Sequence, residues 1–274
     1  MTDALKRYDL FGWDYARYSP LGEAEVAWYV KHAGETGGPV LGLACGTARL
    51  LCRVAEAGLS AEASAKAEFE ATGLDLSATM LAIARANVAA LDAGARVRVT
   101  LVRGDMSAFD LGCAFGQIHL ADNSFRELAT REAMRACLRA VRAHLAPGGR
   151  FLMAERRFNP ALYPNGRREF GGSEPLTNPV TGETVRRRGV VVLAPDRRSL
   201  RGEFLYEVTR PEGSVAVERC PFDSLILRTD DYLALFADAG FESEAFADYT
   251  DRPADGAETI TCFVCAAAQG GGHS

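Results

Sequence analysis

The chain has 274 residues, 48% of them hydrophobic and 24% charged, with a net charge of −5 and a pI near 5.5. That balance suits a globular protein large enough for one sizeable core and an insertion. It disfavours a nucleic-acid partner held through phosphate contacts, and no apolar run approaches the ~18 residues that span a membrane.

The N-terminus, Met-Thr-Asp-Ala-Leu-Lys-Arg-Tyr-Asp, holds no apolar core. No secretory signal is therefore expected, and the expected compartment is the cytoplasm. The odd set of seven cysteines reads as reduced thiols. Cys262 and Cys265 are spaced as Cys-x-x-Cys, but their surroundings read as a strand, which would point them to opposite faces, and no further ligands complete a metal site.

Residues 1–36 read as a helical cap, with an amphipathic run over 23–32 and a breaker at Gly34 to Pro39. A first strand covers 40–43, followed by a small-residue turn and a helix-compatible stretch to Ala57. Residues 60–71 are rich in Ala and Glu and extend a helix or loop. Thr72 to Asp75 closes a second strand, and Ser77 is the cap candidate of a helix over 77–91. A third strand covers 97–102 and a fourth 115–121. A helix over 130–145 stops at Ala146-Pro147-Gly148-Gly149, before a fifth strand at 150–154. Strands alternating with helices predict a doubly wound α/β sheet over 37–158.

The texture then changes. Residues 159–178 are rich in Pro, Gly and Asn, and three strand-like runs follow at 184–194, 200–210 and 214–227. They predict an antiparallel meander inserted over 159–220. In its middle strand Gly202, Phe204, Tyr206 and Val208 share one face. The core resumes over 221–268, with a helix at 229–239 and strands at 241–249 and 258–267, and 269–274 is expected to be a disordered tail.

The chemistry concentrates in the stretch Val40 to Arg49 and in two aspartates, Asp75 and Asp105, that close the next two strand regions. Carboxyl ends of adjacent parallel strands line one crevice, so the turn and both carboxylates should face a common site, one suited to a nucleoside. Four segments resemble the class I S-adenosylmethionine-dependent methyltransferases in order and spacing. They are Leu43-Ala44-Cys45-Gly46-Thr47, Gly73-Leu74-Asp75-Leu76-Ser77 with Met80, Gly104-Asp105-Met106, and Leu145 through Phe151. The resemblance implies a Rossmann-like seven-stranded sheet with its last strand antiparallel, and S-adenosylmethionine as cofactor. It assigns Asp75 to the ribose hydroxyls and Asp105, with the Met106 backbone, to the adenine edge. Leu43, Ala44, Cys45, Gly46, Leu76 and Met80 complete the cradle, with Tyr18 and Asp122 at its margin.

The insertion is similar to that of the sugar N,N-dimethyltransferases. This implies a small-molecule acceptor methylated on an amine or hydroxyl beneath a lid, and a possible homodimer. Gly42 stands where the family carries an acid, and Ala48 stands where it carries a glycine, adding a methyl where backbone and ligand should approach. Glu127 replaces a family histidine. Tyr15, Glu127 and Glu155 are the catalytic candidates. His119 reads as a core histidine and His144 as a helix-end histidine. Eleven arginines against five acids over residues 150–201 suit either an acidic substrate or a solvated outer face. The rival readings are an adenosyl-ligand binder without methyl transfer, a nicotinamide oxidoreductase, which would need Gly-x-Gly-x-x-Gly, and an RNA or protein methyltransferase, disfavoured by the acidic balance.

Overall fold

The computed structural model describes residues 3–60, 70–171 and 174–268. Its strands are β1 Val40–Leu43, β2 Ala71–Asp75, β3 Val99–Arg103, β4 Phe115–Leu120, β5 Leu145–Arg156, β6 Arg167–Phe170, β7 Leu176–Thr177, β8 Thr184–Leu193, β9 Ser199–Thr209, β10 Val215–Leu225, β11 Phe241–Ala247 and β12 Ile260–Ala267. Its helices are α1 Asp3–Phe11, α2 Tyr15–Tyr18, α3 Glu23–Thr36, α4 Arg49–Ser60, α5 Ala78–Ala89, α6 Ala93–Arg96, α7 Arg131–Ala143 and α8 Thr229–Asp238. Most of the expected stretch at 60–71, and the expected tail at 269–274, lie outside the described residues.

Contacts divide the chain into two compact units. One comprises Leu21–Arg157 and Arg228–Ser274, the other Met1–Pro20 and Phe158–Leu227. The stretch read as one helical cap over 1–36 is thus split at Pro20, and only α3 belongs with the sheet described next.

The larger unit holds a seven-stranded sheet in the order β11-β12-β5-β4-β1-β2-β3. β1 pairs in parallel with β2 and β4, and the parallel pairing continues to β3 and β5. β12 runs antiparallel to both its neighbours. This is the expected doubly wound sheet with an antiparallel last strand. The chain leaves β1 in one direction for β2 and β3, then restarts on its other side at β4, so the β1/β4 boundary is the topological switch point where α/β sheets open a crevice. Trp28 and Tyr29 of α3, Leu51 and Val54 of α4, and Leu152 and Ala154 of β5 share one buried cluster. Phe263 is fully buried, with ring centroids of Tyr232 and Phe236 at 5.2 and 5.3 Å.

The sequence reading ends a helix at Ala146 to Gly149, yet β5 already begins at Leu145. Proline and glycine mark a break in regular geometry, and that break is absorbed inside the strand. The register with β4 slips between Phe115 and Gln117, and Gly148 takes φ +75°. α6, β6 and β7 were not anticipated; at four, four and two residues they are too short to carry a period.

The smaller unit is an antiparallel sheet, ordered β10-β9-β8-β6 with β7 also on β8. The residues of β9 expected to share a face are all buried. Gly202 faces Phe222 across the β9–β10 pair, and a Cβ built at Gly202 falls 2.5 Å from Cζ of Phe222. The glycine is what lets that ring lie across the sheet and stack on Phe204, centroids 5.1 Å apart. Leu10, Phe11 and Trp13 of the N-terminal segment pack on the same cluster. Several of the arginines counted above pair along or across strands, as in Arg167–Glu169, Arg186–Glu207 and Arg201–Asp223.

Truncating Phe263 to alanine removes a ring from a site walled by other rings. Phe263→Ala should lower unfolding stability by about 3–5 kcal/mol in urea titration.

Candidate active site

The loop from β1 to α4 holds several residues in the left-handed region. Ala44, Gly46 and Ala48 take φ of +46°, +55° and +59°. Left-handed geometry costs a non-glycine residue about 1–2 kcal/mol, so two alanines persist here only because neighbours fix the loop. Cys45 N donates to Leu74 O at 3.0 Å, Ala48 N to Cys45 O at 2.8 Å, and Asn87 Nδ2 to Thr47 O at 2.8 Å.

The main tether is Asp75, at the carboxyl end of β2. Its Oδ2 accepts from Gly46 N at 2.7 Å and its Oδ1 from Ser77 N at 2.8 Å. Burial raises the pKa of Asp75, and the amides of Ser77, Gly46 and Leu76 act against that rise. Ser77 in turn caps α5, its Oγ accepting from Met80 N at 3.2 Å. Met80 lies beneath the loop, its Cε 3.8 Å from a Cβ built at Gly46, the closest atom such a Cβ would meet. Leu76 is one of the exposed large apolar side chains, at 38%. Asp105 lies two residues past β3 and is exposed, its Oδ1 accepting from the backbone N and Oγ of Ser107 at 2.7 Å each. Met106 follows it, half-buried.

Leu43, Ala44, Cys45, Gly46, Asp75, Leu76, Met80, Asp105 and Met106 thus fall at the carboxyl ends of the three neighbouring strands β1, β2 and β3. Ala48 differs from its expectation. It is 1% exposed and its methyl belongs to the buried cluster around Leu51 and Cys52, so it adds core contact instead of crowding a ligand. Cys45 has its thiol pKa raised, first by burial and then by the Asp75 charge, which keeps it protonated and unreactive.

The absent acid at Gly42 has a steric cause. Gly42 pairs in register with His119 of β4, and a Cβ built there falls 2.9 Å from His119 Nε2. The imidazole occupies the space that an acidic side chain would enter. His119 is 3% exposed, its Nδ1 lies 3.4 Å from Gln117 Nε2, and burial pushes its pKa down to about 4, so the ring is neutral. The helix-end reading of His144 fits its bonds: Nδ1 lies 2.8 Å from Ala140 O, and Nε2 accepts from Leu111 N at 3.0 Å.

After β4 the chain turns through Asp122 and Asn123, adjacent non-glycine residues with φ of +55° and +60°. Asn123 Oδ1 accepts from Arg156 N at 2.6 Å and from Arg126 Nη2 at 2.7 Å. Arg126 Nε also donates to Glu155 Oε2 at 2.8 Å. Glu155 is 2% exposed, and burial pushes its carboxyl up to about 7 against the opposing pull of Arg126. Glu127 is exposed at the end of the short 3-10 turn that follows Asn123. Tyr15 belongs to the smaller unit, with its ring 6.3 Å from that of Tyr8. Tyr18 lies there too, and its side chain is outside what the structure describes.

Residues 41–151 match the family model described as a methyltransferase domain. Residues 41–151 are thus a methyltransferase domain of the S-adenosylmethionine-dependent kind. No curated protein sequence matches it. Among solved structures, the methyltransferase is similar to CcbJ from Streptomyces caelestis, at 22% identity and TM-score 0.74, covering 98% of this chain and 100% of that one. It is similar to CalS10, an amino pentose methyltransferase from Micromonospora echinaspora, at 25% identity and TM-score 0.61, covering 92% and 94%. The glycopeptide N-methyltransferase MtfA, solved with S-adenosyl-L-methionine, is 28% identical with TM-score 0.55, covering 89% and 93%.

Two outcomes test this geometry. Gly42→Asp, which restores the family acid, should destabilise the fold by about 1–3 kcal/mol through overpacking on His119, and His119→Ala in the same chain should recover part of that loss. Glu155 has a folded pKa above its unfolded value, so the native state binds more protons and loses stability as pH rises from about 4.5 to about 7. Glu155→Gln should remove that loss, so its urea midpoint should gain on the wild type across this window.

Proposed function

We propose that the methyltransferase transfers a methyl group from S-adenosylmethionine to an amine or hydroxyl of a small molecule. The observation that carries the reading is the Asp75 tether. One buried carboxylate tethers the β1 loop, while an exposed Asp105 and an exposed Leu76 stand at the ends of the neighbouring strands. This donor and acceptor set fits an adenosine, with Asp75 toward the ribose hydroxyls and Asp105 and Met106 toward the adenine. When bound, the cofactor supplies an activated methyl on a sulfonium, which an acceptor takes by in-line displacement. What the chain contributes is orientation and exclusion of water, and a base only where the acceptor arrives protonated.

The catalytic candidates divide by burial. Glu155 is proposed as a positioning residue, because it is sealed from solvent and acts on the β4 turn through Arg126 and Asn123. Glu127 is proposed for the acceptor side and Asp122 for the cofactor margin. The small-molecule acceptor is supported by similarity to an amino pentose methyltransferase and a glycopeptide N-methyltransferase. Seven free thiols support a reducing, cytoplasmic setting. The exposed Val215 and Val217 on the edge strand β10 support a homodimer through the insertion. Among the described residues no helix is long and apolar enough to cross a membrane.

The second reading, adenosyl-ligand binding without transfer, is favoured by Gly42, where the family acid is missing. Calorimetric titration with S-adenosylmethionine and S-adenosylhomocysteine, with NAD as control, followed by an acceptor screen, separates the two. Micromolar binding of the adenosyl ligands alone, with turnover of an amine or alcohol, is expected. Binding without turnover on any acceptor would favour the second reading. Asp75→Ala should cost about 1–3 kcal/mol of adenosyl affinity for each buried group left unpaired. Equal affinity in variant and wild type would contradict the placement of Asp75.

A further inference from the structure

The β1 loop is tethered by β2 and also by a residue from outside the sheet. On the β2 side, Cys45 N donates to Leu74 O and Gly46 N to Asp75. Thr47 is held by its carbonyl: Asn87 Nδ2, 40 residues further along the chain in α5, donates to Thr47 O at 2.8 Å. Thr47 is 5% exposed, and the helical bond from Cys52 N of α4 goes to Ala48 O. The Thr47 carbonyl therefore stands outside the helical ladder with little access to water, where a missing donor is costly. Ala48, next in the chain, sits at φ +59°, a conformation that a β-carbon disfavours. A fixed carbonyl before Ala48 and the start of α4 after it are what hold the residue there.

Asn87 breaks the helical pattern of α5. Met80, Ala84 and Asn87 follow the i, i+4, i+7 spacing that marks one face of a helix, and both Met80 and Ala84 are buried. An apolar residue is expected at the third position. Asparagine is also a weak helix former, because its side chain competes for backbone hydrogen bonds. Here it is half-buried inside α5, and α5 packs on α4, the helix that the loop opens. The start of α5 meets the same loop: Ser77 N shares Asp75 with Gly46 N, and Met80 Cε is the atom nearest a Cβ built at Gly46. α5 is thus a splint along the loop, and position 87 trades apolar packing and helix propensity for one hydrogen bond to it.

We propose that Asn87 is a positioning residue for methyl transfer: it holds the Thr47 carbonyl so that the loop keeps one backbone conformation around the left-handed Ala48 before any cofactor arrives. The inference rests on the adenosyl reading of the loop and adds a residue that acts through Thr47. A loop already in its binding shape loses less freedom when the ligand arrives, and the apparent affinity falls in proportion to the fraction of chains in which the loop is formed. The competing role is simple packing of α5 on α4. Packing alone would set the stability of the fold without setting the shape of the loop.

The test uses the whole chain and needs no acceptor. Asn87→Leu keeps the volume, restores the apolar row and improves helix propensity, but cannot donate. Asn87→Gln keeps an amide donor on a longer stem. Calorimetric titration with S-adenosylhomocysteine is run beside thermal melts and amide hydrogen exchange of the ligand-free proteins. Asn87→Leu is expected to melt within about 3 °C of the wild type and to bind the ligand about three- to tenfold more weakly. Its Gly46 to Arg49 amides should exchange faster by a similar factor, and saturating ligand should return them to the wild-type rate. Asn87→Gln should fall between the two. Unchanged affinity, or weaker affinity with no faster exchange in the loop, overturns the assignment of Asn87 while leaving the adenosyl site standing. A strongly lowered melt with faster exchange throughout α4 and α5 makes Asn87 a packing residue and overturns it as well. Failure of the wild type to bind the ligand overturns the adenosyl reading and this assignment with it.

Discussion

The larger unit depends on one carboxylate. Asp75 ends β2 and spends both oxygens on backbone amides, one from the β1 loop and one from the turn into α5. Without it, a loop containing two left-handed alanines would have little reason to hold its shape, since each alanine there costs about 1–2 kcal/mol. Burying a carboxylate is itself unfavourable, and the amides of Ser77, Gly46 and Leu76 are what make its charged form tolerable. The arrangement is therefore reciprocal: the loop satisfies the acid and the acid shapes the loop. A crevice of defined form follows at the carboxyl edge of a parallel sheet, where a nucleoside can be read by fixed donors and acceptors.

The departures from the family pattern make sense as one packing solution. His119 fills the volume beside Gly42, and Tyr29 stacks its ring near that imidazole. An acid at position 42 would crowd the imidazole at position 119. Ala48 follows the same logic, since its methyl belongs to the core and completes the packing of α4. Charge, volume and backbone geometry at the site are thereby exchanged among residues far apart in sequence.

Much of this was legible in the sequence. Alternating strands and helices gave the sheet, because each element carries its own period, and the alternation in β9 gave its buried face directly. The cap at Ser77 and the acids at 75 and 105 were readable because they act within a few residues of where they stand. What escaped reading depends on cross-strand contact. The clash of Gly42 with His119 exists only once β1 and β4 are in register. The start of β5 at Leu145 was hidden because a Pro-Gly-Gly run signals a turn, while here it is taken up by a bulge. The division at Pro20 was hidden for a related reason: Leu10, Phe11 and Trp13 find their apolar partners on strands some 170 to 210 residues later, a pairing that no local pattern announces. Glu155 read as a base from its place after a strand, while its burial beneath Arg126 is visible only in three dimensions.

The Asp75-tethered loop is the proposed adenosyl site. Amide hydrogen exchange with and without S-adenosylhomocysteine tests it most directly, because it reports on the loop and not on turnover. Slowed exchange is expected in three segments only, residues 43–48, 75–80 and 104–107, with the Gly46 and Ser77 amides among the protected positions. Protection elsewhere in the chain with these segments unchanged would contradict it.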